Sequence, residues 1–238
     1  MKSESVMPSS ARVEGEALRA RRVKSPPAAK RKRTPNPVRR AISRQAVLDA
    51  ARHLFVTRGY LATSVDDIAA RAKLSKGGLY FHFGDKAQVL RELLGQSATL
   101  YAGIVATLND AKLDPRERLA RWVNDVSRLG AEEPELILLP LLVSLEFMGK
   151  GDEIEQLVVR HYAAVHKGLA ATLRQGRAAG VFRDTAPLRE AVASLAALAD
   201  GALLEWLRRQ DQLNGAALVR TLRGFVFAAV GAQPVRRR

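Results

Sequence analysis

Residues 63–86 constrain this chain more than any other stretch: Thr-Ser-Val-Asp-Asp-Ile-Ala-Ala-Arg-Ala-Lys-Leu-Ser-Lys-Gly-Gly-Leu-Tyr-Phe-His-Phe-Gly-Asp-Lys. Ser64, followed three residues later by Asp67, is a capping-box-like helix start with Asp in place of the usual Glu or Gln. Val65, Ile68, Ala69 and Ala72 then recur on one face at helical spacing. Ser75 offers a second hydroxyl cap, after which Leu79 and Phe83, four apart, point inward. Lys76, Gly77, Tyr80, Phe81 and His82 are left facing outward. Two short capped helices, a tight turn between them, and a small, aromatic and basic outer face form the pattern of a helix-turn-helix that reads DNA.

The second of these helices is costly unless something lies against it. Gly77 and Gly78 in its first turn each cost about 1 kcal/mol of helix propensity relative to alanine. In return the backbone can approach another surface closely. The free N–H groups and positive dipole end of that turn suit a phosphate. Lys76 adds charge, Tyr80 and His82 add donors, and Lys86 stands at the start of the next helix. A plain capped turn, with the aromatics filling a small core, is the competing reading of the same residues.

Charge placement favours the DNA reading. The chain has 238 residues and a formal net charge of +15. Residues 1–40 hold twelve Lys or Arg against three acids, and residues 41–94 hold eight against five. Residues 95–235 are balanced, and Arg236-Arg237-Arg238 closes the chain. Basicity therefore surrounds the helix-turn-helix and the two ends, as expected if one half meets a polyanion and the other does not.

The segment Ser-Lys-Gly-Gly-Leu-Tyr-Phe-His-Phe-Gly-Asp-Lys (75–86) resembles the recognition region of the tetracycline-repressor (TetR) family of bacterial transcriptional regulators. The usual pattern there runs Ser-Lys-Gly-Thr-Leu-Tyr-Tyr-His-Phe, then Lys-Asp-Lys or similar. The likeness continues upstream through Ala50-Ala51-Arg52-His53-Leu54-Phe55, Arg58-Gly59-Tyr60, Thr63-Ser64-Val65 and Ile68-Ala69, covering roughly residues 40–95. It implies that Thr63, Lys76, Gly77, Gly78, Tyr80, Phe81, His82 and Lys86 meet DNA. Arg44 and Ser75 join them in the expected contact set. Gly78 replaces a common Thr or Ala and Phe81 a common Tyr, so that the hydroxyl contact a Thr or a Tyr would offer at these positions is missing.

The organisation that follows is all-α. Residues 1–40, with five prolines and the run Lys30-Arg31-Lys32-Arg33, are expected to be a disordered basic arm. Residues 41–95 form the DNA-binding head, with the helix-turn-helix near 63–82. Residues 96–232 form a helical body for ligand binding and dimerisation, and 233–238 a basic tail. Helices are expected at Ser43–Arg58, in the two short segments above, and from Asp85 toward Leu108, this last one joining head to body. Further helices are expected from Asp114-Pro115 to about Leu129, from Glu133-Pro134 to Phe147 with a kink at Pro140, and over 152–179, 187–209 and 215–230.

Trp122, Phe147, His161, Tyr162 and Trp206 are candidates to line a ligand pocket, with Asp125 or Glu146 as charged anchors. Small residues crowd the last two helices. By the family pattern Asp200-Gly201 marks a dimer-forming helix, and Ala196, Leu203, Leu222 and Phe225 are the candidate interface residues. No catalytic residues, metal site or cofactor are expected. The chain lacks Cys, nucleophile elbows and phosphate loops, and His161 and His166, five apart, fall on different helix faces. No apolar run is long enough to span a membrane and no secretory signal is visible, which points to a soluble, cytoplasmic protein. The reading is a homodimeric repressor released from a palindromic operator by a small-molecule effector. A ligand-independent regulator or activator and a nonspecific DNA-coating protein are the alternatives, and a helical enzyme is disfavoured.

Overall fold

Serine, aspartate and asparagine side chains set most of the helix starts. In a computed structural model describing residues 36–209 and 211–232, nine helices and no strands occur among the described residues. They are α1 (Asn36–Arg58), α2 (Val65–Arg71), α3 (Lys76–His82), α4 (Lys86–Asn109), α5 (Pro115–Glu132), α6 (Pro134–Phe147), α7 (Glu153–Ala178), α8 (Leu188–Arg208) and α9 (Gly215–Ala229). Ser64 and Asp67 complete a reciprocal capping box on α2. Ser75, Asp85, Asp152 and Asn214 each accept an N–H from the first turn of α3, α4, α7 and α9.

One boundary differs clearly from the sequence expectation. α1 begins at Asn36, several residues before Ser43, because Pro37 is tolerated in a first turn and nothing after it breaks the helix. Residues 36–40 are thus helical instead of belonging to the arm. The remainder of the expected arm, residues 1–35, and the basic tail, 233–238, lie outside the described residues. α6 runs through Pro140 from Pro134 to Phe147 without interruption. Proline there removes one N–H donor, but the helix is held on both sides by packing.

The turn between α2 and α3 is closed by Lys73, which sits at φ +56°, with Leu74 N–H donating to Ala69 O at 2.9 Å. A non-glycine residue in this left-handed region is uncommon, and it fixes the sharp reversal of the helix-turn-helix.

The head core is not sealed off from the body. Val47, Leu54, Phe55, Ile68, Leu79 and Phe83 pack in one cluster with Leu136, Leu139, Val143 and Phe147 of α6 and with Ile154 and Val158 of α7. A second cluster joins the C-terminal part of α4 to α5, α7, α8 and α9 around Ile104, Leu108, Leu119, Trp122 and Phe227. α4 contributes to both, so the expected boundary at residue 95 falls inside a continuous helix.

Candidate nucleic-acid interface

α3 is mounted by its inner side. Leu79 and Phe83 are buried, as their spacing requires, while Tyr80 and Phe81 are 46% and 62% exposed. Lys76 and Gly77 are exposed and Gly78 is half-buried. Ser75 Oγ accepts the Gly78 N–H at 3.1 Å, so this cap is occupied by its own helix. Lys76 Nζ lies 3.1 Å from Asp66 in an exposed pair. Such a pair is worth little in water and leaves the ammonium available to a stronger anion.

His82 and Arg44 are tied down more firmly. Ser43 Oγ and His82 Nε2 are 2.7 Å apart. Burial, then the Arg40 and Arg44 guanidiniums, hold the His82 imidazole below its ordinary pKa, so the ring is neutral at pH 7. Arg44 forms a bidentate ion pair with Glu92 and covers the Phe83 ring at 4.8 Å.

Two expected contact residues are turned to another task. Thr63 is 1% exposed, and its hydroxyl donates to Gly59 O at 2.7 Å. Its side chain fills the α1–α2 loop and faces no outside surface. Lys86 Nζ donates to Tyr60 O at 2.8 Å and to Thr63 O at 2.7 Å, and lies over the Tyr60 ring at 4.2 Å. Burial lowers its pKa, and Glu146 acts against that shift. The charge that the sequence reading assigns to DNA instead closes the loop ahead of the helix-turn-helix.

Glu146 is likewise corrected. Its carboxylate is taken up by the head, accepting Tyr60 N–H at 2.8 Å and Leu61 N–H at 2.7 Å. Gly59, at φ +90°, leaves room for it, because a Cβ there would stand 2.9 Å from Glu146 Oε1. Phe147 packs on Tyr60 with ring centroids 5.4 Å apart, within the head core and not in a cavity. At the opposite end of α6, Glu135 meets Arg52 Nε at 3.1 Å and His53 Nδ1 at 2.9 Å. α6 is therefore fastened to the head at both ends.

The remaining ligand candidates separate. Trp122 is core, 1% exposed, and its Nε1 has no hydrogen-bond partner among the described residues. Asp125 lies half-buried at the side of α5, 3.4 Å from Thr107 Oγ1. His161 borders a cleft of about 410 Å³ between α4 and α7, together with Leu94, Ala98, Tyr101, Val105 and Leu157. Tyr162 stands beside it, ring centroids 5.5 Å apart, and Tyr101 meets the His161 ring edge-on at 4.3 Å. Trp206 lines a second, apolar cavity of about 110 Å³ among α5, α8 and α9.

Sequence reading missed Asp200 as an interior acid. Burial pushes its carboxyl up to about 6, and its field, after burial, raises the phenols of Tyr101 and Tyr162. Burial also presses His161 down to about 4. Ser97, one turn before Tyr101, is fully buried, and its hydroxyl has no partner among the described residues. The signal was present in the sequence as the one acid in the small and apolar stretch 191–204 of α8.

Of the expected interface residues, Leu222 is 6% exposed in this chain's own core and Leu203 packs against Gly130, so both face inward. Helical phase explains it, since both share the buried face of Leu195, Ala199 and Val226. Ala196 is half-buried and Phe225 is 59% exposed.

Comparison with known proteins bears on what this assembly is. The profile "Bacterial regulatory proteins, tetR family" matches residues 47–93, and "BetI-type transcriptional repressor, C-terminal" matches residues 115–230. The crystal structure of the MbdR regulator from Azoarcus sp. CIB is 33% identical, with a TM-score of 0.70, covering 81% of this chain and all of that one. The chain belongs to the TetR family. A probable HTH-type transcriptional regulator, ArpR of Pseudomonas putida, is 26% identical over 72% of this chain and 83% of its own length. A transcriptional regulator from Saccharomonospora viridis, solved in complex with choline, is 27% identical with a TM-score of 0.61, over 78% of this chain and 96% of its own. This TetR-family chain is a DNA-binding transcriptional regulator and not an enzyme. No helix among the described residues is long and apolar enough to cross a membrane.

Proposed function

We propose that this TetR-family regulator is a homodimeric repressor, released from a palindromic operator when a small organic molecule enters its body. The observation that carries this reading is the double attachment of α6 to the head, through Glu135 at one end and Glu146 at the other. A body that changes shape must carry the helix-turn-helix with it. An effector then weakens operator binding by as much as it prefers the shape in which two heads are wrongly spaced.

Two features support the rest. The interior holds Ser97 Oγ and His161 Nε2 without partners among the described residues, groups that a packed core would ordinarily satisfy, and His161 borders a cleft large enough for a small molecule. The outer face of α8 and α9 presents Ala193, Ala197, Gly201, Gly224, Phe225 and Ala228 to solvent. Small side chains permit close helix approach, and a second copy of the same face would cover Phe225. In this reading Lys76, Gly77 and Tyr80 meet the duplex, and residues 96–232 serve ligand and partner in the cytoplasm.

Selection of bound DNA from a random pool, with sedimentation of the recovered complex, tests it. A two-fold symmetric site carrying an even number of chains is the expected result. A protein that retains every sequence equally, or binds its site as a monomer, would overturn it.

A further inference from the structure

We infer that Arg40, held over the Phe81 ring, grips a backbone phosphate beside the recognition helix and extends the DNA-binding surface onto the first turns of α1. This goes beyond the helix-turn-helix contacts and rests on the family's DNA-binding reading of the head.

The N-terminal part of α1 is fastened to the C-terminal end of α3 at three successive places. Arg40 covers the Phe81 ring at 4.7 Å, Ser43 Oγ reaches His82 Nε2 at 2.7 Å, and Arg44 covers Phe83 at 4.8 Å. Of the arginines along this part of α1, Arg44 is neutralised by Glu92 and Arg52 by Glu135. Arg39 and Arg40 have no carboxylate partner among the described residues, and of these two it is Arg40 that lies over an aromatic ring. Phe81 is 62% exposed, so the Arg40–Phe81 pair is open to solvent, as is Tyr80 beside it in α3.

A guanidinium stacked through its face keeps its N–H edge free, and that edge matches two phosphate oxygens at once. The ring thus acts as a positioning platform: it orders a flexible arginine before DNA arrives, lowering the entropy lost on binding. This also accounts for Phe81 standing where the family commonly has Tyr, because the position supplies a ring face and needs no hydroxyl.

The test uses the full chain, titrated by fluorescence anisotropy against the duplex recovered in the selection above and against an unrelated duplex, over a range of salt. Arg40→Ala should weaken binding to both duplexes about tenfold. The slope of log affinity against log salt should flatten by about 0.9, with base preference unchanged. Phe81→Leu should cause a similar loss in the intact chain and little further loss on top of Arg40→Ala. Arg39→Ala, which removes a neighbouring cation with no ring beneath it, should matter less.

Unchanged affinity and slope in Arg40→Ala overturn the inference. So do altered base preference with an unchanged slope, which means a base contact, and equal losses from Arg39 and Arg40, which mean diffuse charge alone. Additive losses from Arg40→Ala and Phe81→Leu overturn the platform. Should Phe81→Leu fail to melt cooperatively, Arg40→Ala, Arg40→Lys and Arg39→Ala decide the matter, with Lys expected to restore part of the loss. Failure of the underlying DNA reading is distinguishable, since it would appear as no sequence preference in the unmodified protein.

Discussion

Glu146 shows how much depends on a single carboxylate. Its two oxygens satisfy the Tyr60 and Leu61 N–H groups, which would otherwise be left without partners in a half-buried loop. From the other side Lys86 satisfies the Tyr60 and Thr63 carbonyls of the same loop. Glu146→Gln keeps the shape but turns an N–H₂ group toward one of the amides. It should lower unfolding free energy by about 1–2 kcal/mol in urea titrations. Were Glu146 a ligand anchor, stability would be untouched and only effector affinity would fall. His161 and Asp200 allow a second residue-level test, because their titrations oppose each other. Asp200, raised to about 6 from 3.8, contributes stability that is full below the unfolded value and lost as pH rises through about 6. His161, lowered to about 4 from 6.5, contributes stability that is present above 6.5 and lost as pH falls through about 4. Relative to the intact chain, His161→Phe should therefore gain on going from pH 7 to pH 5, and Asp200→Asn should lose. Melting temperatures should diverge by about 2–4 °C, given partial exposure. Parallel curves for the two variants would contradict these assignments.

At the level of elements, the helices were largely legible because hydroxyl and carboxylate caps, prolines at first turns and terminal glycines mark their ends locally. Leu79 and Phe83 were readable for the same reason: a four-residue spacing fixes a helical face without any knowledge of neighbours. What could not be read was the partner of a side chain. Thr63, Lys86 and Glu146 all serve the Gly59–Thr63 loop: Lys86 and Glu146 reach it across 23 to 86 residues of chain, and the Thr63 hydroxyl closes it from within, back to Gly59. Leu222 and Leu203 turn toward this chain's own core, and the sequence does not say which of two apolar helix faces does so. The faces left outward by α8 and α9 make a definite prediction. Gly201→Arg places a charged side chain where a Cβ meets nothing within this chain, so the monomer should keep its fold. If this face joins two copies, sedimentation should show dissociation at micromolar concentration, with melting of the monomer little changed. A dimer as tight as before would remove α8 from the interface.

Taken whole, the molecule has its charge and its apolar interior in different places. The head carries the outward cations and aromatic rings, the body carries a neutral bundle with unpartnered polar groups inside it, and α4 and α6 bind the two together without a seam. The central claim is that α3 is the surface that tells one DNA sequence from another. The most direct measurement is the affinity of the Lys76→Ala, Tyr80→Ala double variant for the selected duplex and for an unrelated one, with circular dichroism and sedimentation on the same samples. Both side chains are exposed, so fold and assembly should persist. Loss of about a hundredfold or more on the selected duplex, bringing it down to the level of the unrelated one, is the predicted result. A folded double variant that still prefers its own sequence as strongly as the intact chain would contradict it.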